Sequence, residues 1–430
     1  MRLPGRIAAA MEVLAEIQTR HRPAAEALRD WGLSHRFAGS GDRAAIGNLV
    51  YDALRHRASI AWRMDANTPR ALALGAAVLH GDTNAAGLNA LFAGDRHAPD
   101  SLSERELERL TGTEPADAPD WVKADIPEWT ASLFEETFGA AWPEEARALA
   151  ERPPLDLRVN RLKAEPDKVA RQLARLGVTR TTYAPDGLRI AASTGNRRHP
   201  NIASEEAFRR GRIEMQDEGS QIAALLVGAT AADQVLDFCA GAGGKTLALA
   251  DAMHNKGQIY AHDADRNRLA AIYERIKRAS VRNIQVRPPG VDALVGLEGH
   301  MDRVLVDAPC SGSGVWRRRP DAKWRLSAAA LDRRTGEQAR ALAEAAVFVK
   351  PGGVLVYVTC SLLARENSVA AAAFLAGHDD FASCDMSVVW RDAFGDRIAP
   401  PRHCRADHII LSPASTATDG FFIATLKRNG

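Results

Sequence analysis

The sequence predicts an α/β protein built on a doubly wound sheet, preceded by a small α/β module and an all-helical N-terminal part. Three observations carry this. From about residue 213 apolar strand-like runs alternate with helical stretches, two strand-like pieces flank a helical one just before that point, and roughly the first 125 residues show helical spacing without strand alternation. The expected boundaries are 1–125, 126–212 and 213–430, and a chain of 430 residues is long enough for such a division.

In the N-terminal part the clearest pattern is "DRAAIGNLVYDALRH", which places Ile46, Leu49, Val50, Ala53 and Leu54 on one helical face. Arg43, Arg55, His56 and Arg57 lie near this helix and are candidates for touching RNA, against the plainer reading of a solvated face. Around "DAPDWVKADIPEW" the composition turns to Pro, Asp and Trp; "LDLRVN" and "LRIAAS" then bracket the helical "DKVARQLARLG". Beyond these come the strands "QVLDFCA", "GQIYAHD", "DRVLVDAP" and "GGVLVYVTC", each followed by a helical stretch, as in a parallel sheet buried on both faces. Two last apolar runs, "HIILS" and "GFFIATLK", are separated by the polar "PASTATD" and predict an edge hairpin.

Bulk charge decides little, because 56 Lys and Arg stand against 54 Asp and Glu. The five cysteines are widely spaced and contain no C-x-x-C, which argues against a disulfide framework or a zinc cage. No run approaches the ~20 apolar residues of a membrane span. A cytoplasmic monomer that binds no metal and no membrane is the expectation.

The loop "CAGAGGKT" (239–246) joins the first strand of the alternating region to a helix, where such sheets bind ligands. A phosphate-binding P-loop would need glycine where Cys239 stands, and the dinucleotide pattern beginning at Gly241 and Gly243 meets Thr246 at its last position. What remains is a turn of small residues, Cys239, Ala240, Gly241, Ala242, Gly243 and Gly244, that admits a ligand close to the backbone. About 20 residues on, Asp263 ends the second strand and suits the hydroxyls of a ribose. S-adenosylmethionine, an adenosine cofactor that needs no pyrophosphate cradle, fits both facts.

"DAPC" and "VTCS" put Cys310 and Cys360 at the carboxyl ends of two further strands. A lone cysteine is most often buried and inert; two at such positions beside a methyl donor suggest a specific chemistry. Carbon 5 of a pyrimidine is too weak a nucleophile to take a methyl group until a thiolate adds at carbon 6, after which the thiol must be eliminated. Asp307 is then a candidate to hold the ring, or a turn cap, and Lys245 a candidate to hold a thiolate or the base. Cys239 fits cofactor contact or packing better than reaction.

Assembled in order, "MQDEGSQ", "CAGAGGKT", "HDAD", "DAPCSGSG", "RRRPDAKWR", "KPGGVLVYVTCS", "ENSVAAAAFL" and "DGFFIATLKR" closely resemble the RsmB/Sun-type family of S-adenosylmethionine-dependent RNA cytosine-5 methyltransferases. The resemblance implies a Rossmann-like class I methyltransferase sheet, a NusB-like RNA-binding N-terminal domain and an RNA substrate, ribosomal RNA in particular. It implies cofactor contacts from Cys239 to Lys245, Asp263 on the ribose, Asp307 near the methionyl end and Asp292 on the adenine. It also implies that the nucleophile is Cys360, of the Thr-Cys dipeptide, and that Cys310 promotes product release. Two departures stand out: Gly241-Ala242 replaces a common Ala-Pro pair, and the loop "PPGVDAL" is lengthened.

After the Cys310 loop, "VWRRRPDAKWRL" interleaves Trp316 and Trp324 with Arg317, Arg318, Arg319, Lys323 and Arg325, as a phosphate-tracking surface with stacking rings would. Two other functions compete: an RNA-binding ribosome-assembly factor that keeps the methyltransferase fold without turnover, and a thiol hydrolase using Cys310. The second would need a histidine partner, and no local pattern supplies one.

Overall fold

The computed structural model describes residues 1–112, 117–193, 195 and 200–430. The chain divides into two compact units, one holding Met1–Arg152 and Trp316–Leu326, the other Pro153–Ala192, Pro200–Val315 and Ser327–Gly430. Residues 126–152 are helical, with helices at Ala131–Phe138 and Trp142–Arg147, and they group with the N-terminal helices rather than with the α/β module.

The helical unit packs Leu3–Arg20, Ser40–Arg55 and Pro69–Leu79 around a shared apolar centre. Ile46, Leu49, Val50, Ala53 and Leu54 are all buried there, as their spacing predicts. Helix spacing is tight because the facing residues are small. A Cβ on Gly75 would fall 2.3 Å from Ile60 Cγ2, so the approach of the helix Arg57–Met64 needs glycine at that point.

Trp316–Leu326 belongs to this unit, and several of its side chains turn into the interior rather than onto an RNA-tracking surface, while Arg319 and Arg325 stay exposed, Arg325 paired with Asp321. Trp316 is fully buried with its ring 5.7 Å from Phe134, Arg317 is buried, and Lys323 is fully buried with its ammonium donating to Arg55 O at 3.0 Å. Trp324 donates from Nε1 to Leu54 O at 2.6 Å. Arg55, also buried, donates to Asp52 and to Arg317 O, and Arg57 lies over the Trp324 ring. Arg43 donates to Ala38 O and His56 meets Asp125, so these four side chains bind protein groups in this unit. Burial pushes the Lys323 ammonium down to about 8, against the opposing field of Asp125.

In the second unit, β1 (Leu155–Val159), β2 (Thr179–Arg180), β3 (Gly187–Ile190) and β4 (Ile213–Met215) form a four-stranded antiparallel sheet in the order β2-β3-β1-β4. The expected boundary at 212 cuts this module, because β4 closes its edge against β1 with Arg158 opposite Glu214.

The large sheet contains β5 (Gln234–Asp237), β6 (Gln258–His262), β7 (Ile284–Arg287), β8 (Met301–Asp307), β9 (Val349–Thr359), β10 (Phe381–Ser383), β11 (His403–Cys404), β12 (Ile409–Leu411) and β13 (Phe421–Arg428). Its order is β11-β12-β13-β9-β8-β5-β6-β7, with β10 also on β13. The run from β7 to β9 is parallel, and β13 joins β9 antiparallel, so the sheet is mixed. Val304–Val306 and Val354–Val358 are buried throughout, the pattern of strands covered on both faces. "HIILS" and "GFFIATLK" do pair as β12 and β13, but β13 is interior, wedged between β12 and β9, which corrects the edge-hairpin expectation. A strand as apolar as Phe421–Leu426 is best placed where both faces are covered.

Strand order reverses between β5 and β8, and a crevice opens beyond the carboxyl ends of strands at such a point. Among the described residues no helix is long and apolar enough to cross a membrane. Truncating Trp316 to Ala should destabilise the protein by roughly 3–5 kcal/mol, the usual loss for a buried large aromatic, measured by urea unfolding.

Candidate active site

The loop after β5 is shaped by two glycines. Gly241 has φ 51° and Gly243 φ 81°, and a Cβ on Gly243 would lie 2.4 Å from Ile272 Cγ1, so that position excludes any side chain. Ala240 N donates to His262 O at 2.7 Å, Ala242 O accepts from Arg275, and Gly244 begins the helix Gly244–Ala252. Asp263, buried at the end of β6, accepts Gly241 N at 2.8 Å on one oxygen and Asp265 N at 2.8 Å on the other. The acid expected to face the ribose is thus brought against the glycine loop, as its position in sequence implies.

Acids gather here. Asp237 ends β5, buried, with Oδ2 accepting from Thr246 at 2.7 Å and a buried Oδ1 that has no protein partner. Burial above all, with Asp307 and Asp263 adding to it, raises its pKa to about 7. The same surroundings push the Cys239 thiol up: desolvation first, then Asp307, Asp237 and Asp263. A thiol pushed up in this way carries little thiolate. Three acids stand against two cations, Lys245 on Asp307 and Arg268 3.7 Å from Asp263, which leaves Asp237 without an ion-pair partner among the described residues and its orphaned oxygen as an acceptor for a positively charged ligand. A sulfonium cofactor fits this loop.

The Lys245 ammonium donates to Asp307 Oδ2 at 2.7 Å and sits 5.1 Å from the Phe421 ring centre, so its partner in the free protein is a carboxylate. Asp307 keeps about a third of its side chain accessible, 32%, and is the acid at the rim of the crevice. Asp292 lies exposed in the turns after β7, and no contact links it to the glycine loop or Asp263.

β8 and β9 are parallel neighbours with Asp307 opposite Val358, so the loops that follow them emerge side by side. Cys310 Sγ and Cys360 Sγ are 3.3 Å apart. The Cys310 pKa is held well above the ordinary thiol range, first by its hydrogen bond with Cys360, then by desolvation, with Glu366 adding to it. Cys310 is therefore a neutral thiol whose partner is a second sulfur, not an imidazole.

Glu366, fully buried, ties the two cysteine loops together. Its carboxylate accepts Ser311 N at 2.7 Å, Ser311 Oγ and Ser361 Oγ at 2.5 Å each, and Gln338 Nε2 at 3.0 Å, while Gln338 also donates to Pro309 O. Gly314 N donates to Cys360 O at 3.0 Å and Ser313 Oγ accepts Leu362 N at 2.8 Å. Asp237, Glu366, Ser311, Ser361 and Gln338 escaped the residue-by-residue reading. The available signals were an acid inside the apolar "QVLDFCA" and the "EN" that opens "ENSVAAAAFL".

Two outcomes test this geometry. Because the folded Asp237 keeps its proton up to about 7 while its unfolded carboxyl ionises near 3.8, the folded state binds more protons across that window and stability falls as pH rises through it. Asp237→Asn should therefore melt progressively higher than the wild type as pH goes from 4 to 7, with the difference level above that. Glu366→Ala should leave cofactor binding measurable by calorimetry while lowering kcat on the order of 10²-fold, the scale of a misplaced reacting group.

Residues 224–427 match the family model described as 16S rRNA methyltransferase RsmB/F, and residues 126–195 match the RsmF/B-like ferredoxin-like domain. A probable ribosomal RNA small subunit methyltransferase B of Synechocystis is 35% identical over 311 residues, covering 70% of this chain and 67% of that protein. The ribosomal RNA small subunit methyltransferase B of Sodalis glossinidius is 32% identical over 327 residues, 74% of this chain and 70% of its own length. These alignments span about two thirds of the curated relatives. In fold, the crystal structure of PH0851 superposes with a TM-score of 0.74 at 24% identity over 100% of this chain and 99% of that one. A methyltransferase homolog from Pyrococcus horikoshii gives 0.58 at 25% identity, over 72% and 97%. The cofactor of such a methyltransferase is S-adenosylmethionine, and the glycine loop and acids described above are the residues that would hold it. The chain belongs to the RsmB/F family of ribosomal RNA methyltransferases.

Proposed function

We propose that this protein methylates carbon 5 of a cytosine in RNA, ribosomal RNA being the substrate class of its named relatives, through a covalent thiol-cytosine adduct. The observation that carries this reading is the pair of sulfurs 3.3 Å apart at the ends of adjacent strands, with one of them held as a neutral thiol. S-adenosylmethionine supplies, when bound, an electrophilic methyl group. Cys360 adds through Sγ to carbon 6 of the ring, and the ring electrons displaced by that bond make carbon 5 nucleophilic. Asp307 hydrogen-bonds the cytosine edge in this reading, which its exposure at the rim and its pairing with Lys245 support. Once water takes the carbon 5 proton, the electrons of that bond re-form the carbon 5–carbon 6 double bond and the carbon 6–sulfur bond breaks, its electron pair leaving on sulfur. The S–H of Cys310 then stabilises the departing Cys360 sulfur.

A methyltransferase fold retained only for assembly would have no need of a second thiol clamped against the first by Glu366. The target base must leave its stack to reach these strand ends, which favours a single-stranded or loop cytosine. The test is a denaturing gel after incubating RNA and cofactor with each variant. Cys310→Ser should accumulate a covalent protein-RNA band, because addition proceeds and release fails. Cys360→Ser should give no adduct and no methylation; an adduct without Cys360 would overturn the assignment.

A further inference from the structure

Trp316, Arg317 and Lys323 of the arginine-rich segment are used inside the helical unit, and a larger set of cations converges on an open surface elsewhere. In the second unit a cleft of about 830 Å³ is lined by Lys163, Arg209, Arg210, Arg212, Lys277 and Arg278, with Glu274 as its single acid. They come from three places: the turn after β1, the segment leading into β4, and the helix Ile272–Ala279 beside the large sheet. Arg210 is paired with Glu206 at 2.8 Å and Arg278 with Glu214 at 2.6 Å. Among the described residues Lys163, Arg209, Arg212 and Lys277 have no carboxylate at ion-pair distance.

Uncompensated charge on this scale is unfavourable in a chain whose cations and anions are nearly equal in number. Lys163 shows the strain: its ammonium donates to Arg278 O and Ser280 Oγ at 3.0 Å, and its pKa is lowered by desolvation and by Arg212. A single phosphate group would call for donors converging on one point, whereas these side chains are spread along a cleft, which suits successive phosphates of a chain. No exposed apolar side chain lines the cleft, since Leu162 is half-buried, so nothing there would enter a lipid surface. The cleft is also fastened to the cofactor loop: Glu214 accepts from Arg278 and, at 3.0 Å, from Arg275, which donates to Ala242 O at 2.9 Å.

We propose that this cleft is a docking groove for the phosphate backbone of the substrate RNA, leading the strand to the module's side of the cofactor loop. The inference rests on the reading of this chain as an RNA methyltransferase. Its test is binding of a 16S rRNA transcript to the full chain, followed by fluorescence anisotropy across a potassium chloride series. For Arg209→Ala/Arg212→Ala/Lys277→Ala the slope of log affinity against log salt should fall by about 2, close to 0.7 for each lost single-strand phosphate contact. The KM for RNA should rise at least tenfold while kcat at saturating RNA stays within about twofold. Arg209→Lys/Arg212→Lys should keep the wild-type slope.

An unchanged slope in the triple variant overturns the proposal, as does a lysine variant that loses binding with its charge intact. Loss of binding to phosphatidylglycerol vesicles with RNA affinity unaltered would assign the cleft to lipid instead and equally overturn it. The two readings fail separately. A wild type that binds the transcript with the full slope and methylates no cytosine would refute the methyltransferase reading while leaving the groove standing.

Discussion

The parallel pairing of β8 with β9 is the constraint on which the catalytic unit depends. With Asp307 opposite Val358, the loops beginning at Ala308 and Cys360 leave the sheet at the same edge, and sulfurs 50 residues apart in sequence come within 3.3 Å. Neither loop is regular structure, so the pairing alone would not fix the sulfurs. The buried Glu366 carboxylate does so by accepting from Ser311 in one loop and Ser361 in the other. A buried anion satisfied by four hydrogen bonds is a rigid anchor, because losing any one of them leaves charge without compensation in a low-dielectric interior.

On the other side of the reversal in strand order the electrostatics are unsatisfied by design of the fold. Strand-end acids Asp237, Asp263 and Asp307 surround Cys239, while Lys245 is committed to Asp307. The free protein answers by keeping a proton on Asp237 and on Cys239, because desolvation there outweighs the nearby charges of Lys245 and Arg268. A positively charged cofactor relieves the same conflict.

The segment Trp316–Leu326 shows how composition misleads. Interleaved aromatic and basic residues are the signature of a stacking and phosphate-binding surface, yet here Trp316 and Lys323 are fully buried, and Trp324, Lys323 and Arg55 donate to the carbonyls of Leu54, Arg55 and Arg317. Long cationic side chains carry apolar stems and strong donors, so they can close helix ends from the inside as readily as they can meet phosphate. The surface cations that do cluster, around Arg212 and Lys277, are scattered over residues 163–278 and form no run in the sequence.

By itself the sequence determined the order of the elements and which cysteines and acids stand at the strand ends. Strand periodicity, the small-residue turn at 239–244, Asp263 at a strand end and the two cysteines at strand ends are local properties, and local geometry follows from them wherever the chain folds as a doubly wound sheet. It could not determine which of its acids would be stranded in the interior, because Asp237 reads as one charge in an apolar run and its neighbours are brought in from β6 and β8. Nor could it show Glu366 as the link between loops, Lys245 as a partner of Asp307, β13 inside the sheet, or β4 completing the module. Each of these is a pairing across many tens of residues, decided by which surfaces are left to cover once the strands have taken their order, and only the tertiary structure holds that information.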